Sequence, residues 1–120
     1  MTRFIILLAA LTLSPVAHAA DPVAGEAVYK TQCGLCHAVI PNKNLLGPSM
    51  FGIVGRGSGS VEGFRYSPAN KDINLVWTAE TLDKFVTAPK EVIPGTTMLY
   101  SGLKDPAKRA ELIAYLETLH

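Results

Sequence analysis

Only two cysteines and three histidines occur in the 120 residues, and this scarcity closes several routes. A zinc site built from side chains needs more Cys or His ligands than Cys33, Cys36 and His37 supply, because His18 lies at the end of the first apolar segment and His120 at the C-terminus. A disulfide between Cys33 and Cys36 would close so small a loop that its chain-entropy effect is slight. Charge of one sign is also lacking: 11 Lys and Arg stand against 10 Asp and Glu. Nucleic acid or an acidic membrane surface as partner would need a basic excess. A spanning run is missing too. The apolar stretch Phe4 to Leu13 is interrupted by Thr12, Ser14 and Pro15, short of the roughly 20 residues a membrane helix requires. There is no internal repeat, no convincing strand alternation and no low-complexity linker.

What is present begins with a targeting pattern. Arg3 supplies a positive start, Phe4 to Leu13 an apolar run and Ala17-His18-Ala19 a small-x-small cleavage site. Residues 1–19 therefore read as a cleaved signal peptide and residues 20–120 as one domain, exported to the periplasm. Of the basic residues only Arg3 lies within 1–19, and no acidic residue does, so the exported part carries no net charge. About 100 residues bury only a modest core, which a bound prosthetic group would enlarge.

Asp21-Pro22 is a helix start, with Asp as N-cap and Pro at the first helical position, and predicts a helix from Val23 to about Cys33. From Ala38 to about Leu75 the chain is rich in Gly, Pro, Asn and Ser, with Gly47-Pro48, Gly52, Gly55-Arg56-Gly57-Ser58-Gly59 and Ser67-Pro68 as turn signals. So long an irregular stretch implies something large and rigid around which it is organised. Thr78 caps a helix to about Thr87, with Leu82, Phe85 and Val86 on one face and Pro89 as the stop. Asp105-Pro106 opens a last helix, in which Leu112, Tyr115, Leu116 and Leu119 fall at helical spacing. The class is all-α.

Cys33-Gly34-Leu35-Cys36-His37 uses both cysteines in the pattern that attaches a c-type haem. Each thiol adds to one vinyl group of the porphyrin, and the His after the second Cys is placed beneath the iron. A thioredoxin-like redox pair would want a βαβ context, which is missing.

With this motif between a helix and a Gly/Pro-rich loop, the chain resembles the small class I cytochromes c of the mitochondrial and α-proteobacterial type. The resemblance covers nearly all of residues 20–120. It rests on Gly25-x-x-x-Tyr29, Gly47-Pro48, Gly55-Arg56, Gly63-Phe64-Arg65-Tyr66, Trp77, Ile93-Pro94-Gly95-Thr96-Thr97-Met98 and Leu112-Ile113-Ala114-Tyr115-Leu116. It implies three to five helices with long loops wrapped round one covalent haem c, His37 and Met98 as axial iron ligands, and one-electron transfer between redox proteins without catalysis. It further implies that the Pro48 carbonyl accepts from His37 Nδ1, that Arg56, Tyr66 and Trp77 donate to the haem propionates, and that Asn70 joins a network near the haem. Read on their own, Arg56 is equally a solvated loop charge, and Tyr66 and Trp77 core aromatics. Met50, the rival to Met98, follows close on Gly47-Pro48 on the His37 side. Gly25 and Tyr29 are expected to pack against Leu112 and Tyr115.

The departures concern partners. Thr97, Gln32 and Glu91 stand where Lys is common in the family, and Phe85 where many members have Tyr. Lys90 and Lys104 remain, so steering toward an acidic partner is weak. The implied protein is a monomer whose redox donor and acceptor dock at the haem edge, with no nucleic acid and no stable membrane insertion. A small haem enzyme with an open sixth position would require Met98 to be displaced. A free shuttle and a dedicated oxidoreductase subunit are equally compatible with the sequence.

Overall fold

The computed structural model describes residues 19–120, so the signal-peptide reading of residues 1–19 falls outside the described residues except for Ala19. Five helices follow in order: α1 Pro22–Gln32, α2 Pro68–Asp72, α3 Ala79–Thr87, α4 Pro89–Val92 and α5 Pro106–Leu116. None is long and apolar enough to cross a membrane.

Local chemistry sets the helix ends. Asp21 and Asp105 accept from Val23 N and Ala107 N at 2.9 Å each, and a proline follows both caps. Each such cap contributes about 1 kcal/mol by satisfying an otherwise unpaired amide. Thr78 and Thr81 cap α3 reciprocally, with Thr81 N donating to Thr78 Oγ1 at 3.2 Å and Thr78 N to Thr81 Oγ1 at 2.8 Å. The two short helices depart from expectation. Ser67-Pro68, a turn signal in the sequence, is the same cap-plus-proline start, with Ser67 Oγ accepting from Asn70 N at 3.2 Å. Pro89 ends α3 as expected but also opens one further turn, α4. Helices of four or five residues are too short to display apolar periodicity; the Ser67 cap betrays α2, whereas α4 has no side-chain cap and only Pro89 at its first position.

There is no strand among the described residues. Instead the irregular segment 55–58 is laced to 75–77 around one antiparallel bridge, Gly57 with Val76. Gly55 N donates to Trp77 O at 2.6 Å, Trp77 N to Arg56 O at 2.8 Å and Ser58 N to Leu75 O at 2.7 Å. The core gathers Val28 and Tyr29 of α1, Leu82, Phe85 and Val86 of α3, and Leu112, Ile113 and Leu116 of α5, with Ile53, Trp77, Ile93 and Leu103 from the loops.

The main helix crossing is α1 on α5. A Cβ at Gly25 would lie 1.8 Å from the Glu111 carbonyl oxygen and 2.8 Å from Tyr115 Cβ, so the two backbones meet where only glycine fits. One turn on, the rings of Tyr29 and Tyr115 pack with centroids 5.5 Å apart. Helix α5 is also tied to α3 through Arg109 Nε and Asp83 Oδ1 at 2.8 Å, while Arg109 Nη1 donates to Leu103 O at 2.9 Å.

Gly25→Ala is expected to destabilise the protein by at least about 1–3 kcal/mol, the range for overpacking a tight contact. Ala27→Ser, exposed on the same helix, should stay within about 0.5 kcal/mol of the parent. A guanidinium titration separates the two; equal midpoints would mean that the crossing relaxes without cost.

Candidate functional site

Directly after α1 the chain winds one more turn through the two cysteines. Cys33 N and Gly34 N donate to Tyr29 O at 2.8 and 2.9 Å, and His37 N donates to Cys33 O at 3.0 Å. Both thiols and the imidazole are thus presented within a single turn fixed to the helix. Tyr29 Oη donates to the His37 carbonyl at 2.5 Å. Burial, with smaller effects of Cys33 and Tyr115, pushes the Tyr29 phenol up to about 12, so it remains a donor.

Residues 47–50 run alongside this turn. Gly47 N donates to Cys36 O, and Met50 N to Ala38 O, both at 2.8 Å. Between these two bonds, His37 Nδ1 stands 2.7 Å from the Pro48 carbonyl oxygen. A carbonyl can only accept, so Nδ1 carries the hydrogen and, in the neutral ring, Nε2 holds the free lone pair. Burial lowers the His37 pKa and nearby Arg56 lowers it further, against the opposing effect of the Pro48 bond. The net direction favours the neutral, metal-ligating form. Among the described residues Nε2 makes no hydrogen bond. A Cβ on Gly47 would lie 2.2 Å from His37 Cε1 and 2.8 Å from Nε2, so glycine is required for the ring to lie where it does.

Both cysteines are free thiols, half-buried. Burial, reinforced by Cys36, pushes Cys33 up to about 11, which keeps it protonated and apolar in character at neutral pH. Arg56 is half-buried: Nη1 donates to Ser49 O at 2.9 Å and Phe51 O at 3.1 Å, while Nε is buried without a partner. A buried unpartnered guanidinium nitrogen calls for an acceptor. Tyr66 Oη accepts from Val61 N at 3.0 Å, and burial lowers the Arg56 pKa against a smaller opposing effect of Tyr66. Trp77 is buried, joined to Arg56 through its backbone and packed at a tilt of 49° against Phe85 with centroids 4.9 Å apart. Asn70 Oδ1 accepts from Ser67 Oγ at 2.7 Å at the start of α2.

Met98 is half-buried against the core, as is Met50. Its segment is tied back to the cysteine turn by Tyr100 Oη, which donates to Gln32 Oε1 at 2.7 Å, one residue before Cys33. Three residues support this region in ways the sequence does not signal: Asn44 and Ser49 altogether, and Tyr29, expected only to pack on α5, through its hydroxyl. Asn44 Oδ1 accepts from Ser49 N at 3.0 Å, Ser49 Oγ donates to Ile40 O at 2.7 Å, and Tyr29 acts through its hydroxyl as well as its ring. Each is a polar side chain in an unremarkable local pattern, and only the folded chain shows what it meets.

Among the described residues no group of three or more His, Cys, Asp or Glu converges to hold a metal. Two thiols, one neutral imidazole with an unpaired Nε2 and a buried guanidinium nitrogen instead suit a large ring carrying its own metal and acidic groups. The fold and site thus fit the class of all-α proteins that carry a c-type haem. No protein-family model matches the chain. The chain is 50% identical over 99 residues to cytochrome c2 of Rhodopila globiformis, covering 82% of this chain and 93% of that protein. It is also 50% identical over 114 residues to cytochrome c2 of Rhodomicrobium vannielii, covering 93% and 90%. Among solved structures, cytochrome cH from Methylobacterium extorquens superposes with a TM-score of 0.77 at 37% identity, covering 82% of this chain and 99% of that one. The chain belongs to the class I monohaem cytochromes c, as a homologue of the bacterial cytochromes c2, and is an electron carrier rather than an enzyme.

Gly47→Ala must displace either the His37 ring or the Pro48 segment. The expected results are a smaller haem-loaded fraction and a loss of about 1–3 kcal/mol in what does load. Haem content per chain and a denaturant titration measure both. Gly57→Ala, whose Cβ meets nothing within 4 Å, is the matched control and should load normally.

Proposed function

We propose that residues 20–120 are a periplasmic one-electron carrier with a single haem bonded covalently through Cys33 and Cys36 and ligated by His37 and Met98. The observation that carries this reading is the 2.7 Å contact of His37 Nδ1 with the Pro48 carbonyl, beside two free thiols. It leaves Nε2 as the ring's unpaired nitrogen, which supports the reading of His37 as an iron ligand. The haem, when bound, supplies the ferric/ferrous couple.

The chain's own residues supply the rest. His37 is fixed in tautomer and orientation by Pro48, in position by the Gly47 backbone, and in height by the Tyr29 hydroxyl on its carbonyl. A ligand so held moves little between two oxidation states. Met98 contributes a soft thioether, which favours reduced iron and raises the potential, as suits a carrier. Arg56, Tyr66 and Trp77 are the donors for the propionates, supported by the unpartnered Arg56 Nε, and Asn70 adds to the network from the start of α2.

Redox partners dock at the haem edge with weak electrostatic steering. Lys30 is paired with Glu26 and Lys84 with Glu80, each at 3.0 Å, and Lys104 Nζ donates to Thr87 O at 2.5 Å. Residues 20–120 balance ten Lys and Arg against ten Asp and Glu, which supports association governed by shape more than by net charge. Residues 1–19 act as the export signal, which accords with attachment of haem to reduced thiols outside the cytoplasm.

A visible redox titration of protein purified from the periplasm tests the whole reading. A low-spin, six-coordinate haem c with one reversible one-electron wave is expected. A five-coordinate ferrous form that binds carbon monoxide rapidly and tightly at neutral pH would replace the carrier with an open-site haem protein. Met98→Ala should keep the haem attached, open the sixth position and lower the potential; an unchanged ligand-field spectrum would show that another residue binds the iron. Cys36→Ser should abolish most haem attachment and, with it, most stable fold, because the haem is part of the core. A haem-free Cys36→Ser protein with native helix content, measured by circular dichroism, would contradict that.

A further inference from the structure

The segment that carries Met98 is held very differently from the one that carries His37. Its ends are secured. Thr96 N donates to Ile93 O at 3.0 Å, with Ile93 fully buried, and Leu103 N donates to Val86 O at 2.9 Å. At Gly102 the backbone passes so close to α3 that a Cβ would lie 2.1 Å from the Thr87 carbonyl oxygen. Between these anchors, among the described residues, residues 97–102 make two hydrogen bonds. One is local, Met98 N to Thr96 Oγ1 at 3.3 Å. The other, Tyr100 Oη to Gln32 Oε1 at 2.7 Å, is the single hydrogen bond that joins the segment to the rest of the protein.

That bond is placed to act on Met98. Tyr100 lies two residues past Met98, and Gln32 is the last residue of α1, one before Cys33. It therefore joins the loop that brings the sulfur to the helix end that carries the cysteine turn, across 68 residues of sequence. The Tyr100 ring packs against the core, so the hydroxyl is delivered by a fixed body and not by a freely rotating arm. Burial raises the phenol's pKa, and the hydroxyl stays a donor at neutral pH.

We infer that the Tyr100–Gln32 hydrogen bond is a latch on the Met98 loop, which sets how readily the Met98 sulfur leaves the iron and an outside ligand replaces it. The inference rests on the reading of Met98 as axial ligand. The two residues are positioning residues: neither touches the iron, and both act through the loop's closed state. Opening the loop requires the bond to break, whereas the anchors at Ile93 and Leu103 stay made. Loss of the bond shifts the open-to-closed ratio without unfolding the domain.

Imidazole is the probe, mixed with the ferric holoprotein and followed by visible absorption in a stopped-flow instrument. With the loop opening first, the observed rate reaches a plateau at high imidazole, and that plateau is the opening rate. Tyr100→Phe and Gln32→Ala should each change opening by about 2- to 10-fold in favour of the open form, the effect of one net hydrogen bond. The double variant should match the singles, because both remove the same bond. Gln32→Glu, which keeps an acceptor oxygen, should stay near the parental plateau. Parental plateaus in both single variants, or multiplied effects in the double variant, would overturn the latch. The two levels of the argument separate in the parent itself. If the parent shows no plateau and binds imidazole as fast as Met98→Ala, the ligand assignment fails and the latch with it. If the parent shows a plateau that Met98→Ala abolishes and Tyr100→Phe leaves unmoved, the assignment stands and the latch alone falls.

Discussion

The hydrogen bond from His37 Nδ1 to the Pro48 carbonyl is the contact on which the rest of the site depends. A carbonyl accepts and never donates, so this one bond decides which nitrogen of the ring bears the hydrogen and which keeps a free lone pair in the neutral ring. It would be worth little if either side could drift. On one side the Pro48 segment is bracketed by backbone bonds to Cys36 and Ala38, and Gly47 lets it lie against the ring. On the other, the His37 carbonyl is held by Tyr29, whose ring packs on Tyr115, one turn from the point where Gly25 lets α1 rest on α5. A helix crossing chosen by a missing Cβ thus reaches the imidazole through two tyrosines.

The long irregular stretch between α1 and α3 follows the same logic of backbone pairing without regular elements. Gly55, Ser58 and Trp77 close bonds across segments some 20 residues apart, and Gly52 N donates to the Leu119 carbonyl beyond the end of α5. None of this has a period, so composition announces a loop and nothing in it announces the lacing. The caps were legible: Asp21-Pro22, Thr78 and Asp105-Pro106 begin helices where their chemistry says they should. Ser67-Pro68 speaks the same language, but the helix it opens is only five residues long, too short for a buried face to confirm it.

At the site, legibility divides by what kind of group acts. Cys33, Cys36 and His37 stand together in sequence because their chemistry demands a fixed spacing, and the fold leaves them within one turn. Pro48 acts through its backbone oxygen, which every residue possesses, so only the family resemblance could single it out beforehand. Arg56 by itself reads as a solvated charge; the fold half-buries it, gives one terminal nitrogen two carbonyls and leaves Nε buried without a partner. Tyr100 and Gln32 lie 68 residues apart on different elements, and no pattern along the chain could have paired them.

The two sides of the site also differ in how much holds them, and the difference matches what each has to do. The His37 side is clamped at the ring, at the carbonyl and along the neighbouring segment 47–50. The Met98 side is anchored only at its ends and crossed by one side-chain bond, between groups at the surface. Local opening concentrates where hydrogen bonds to the rest of the protein are few. On the proposed reading of Met98 as a ligand, its thioether is the weaker of the two and needs the protein to keep it in place, yet the loop that carries it is the lightly held one. The closed state on that side therefore rests on the packing of Met98 and Tyr100 against the core together with a single hydrogen bond. If Met98 is the ligand proposed, small substitutions there would alter ligand exchange long before they altered the fold.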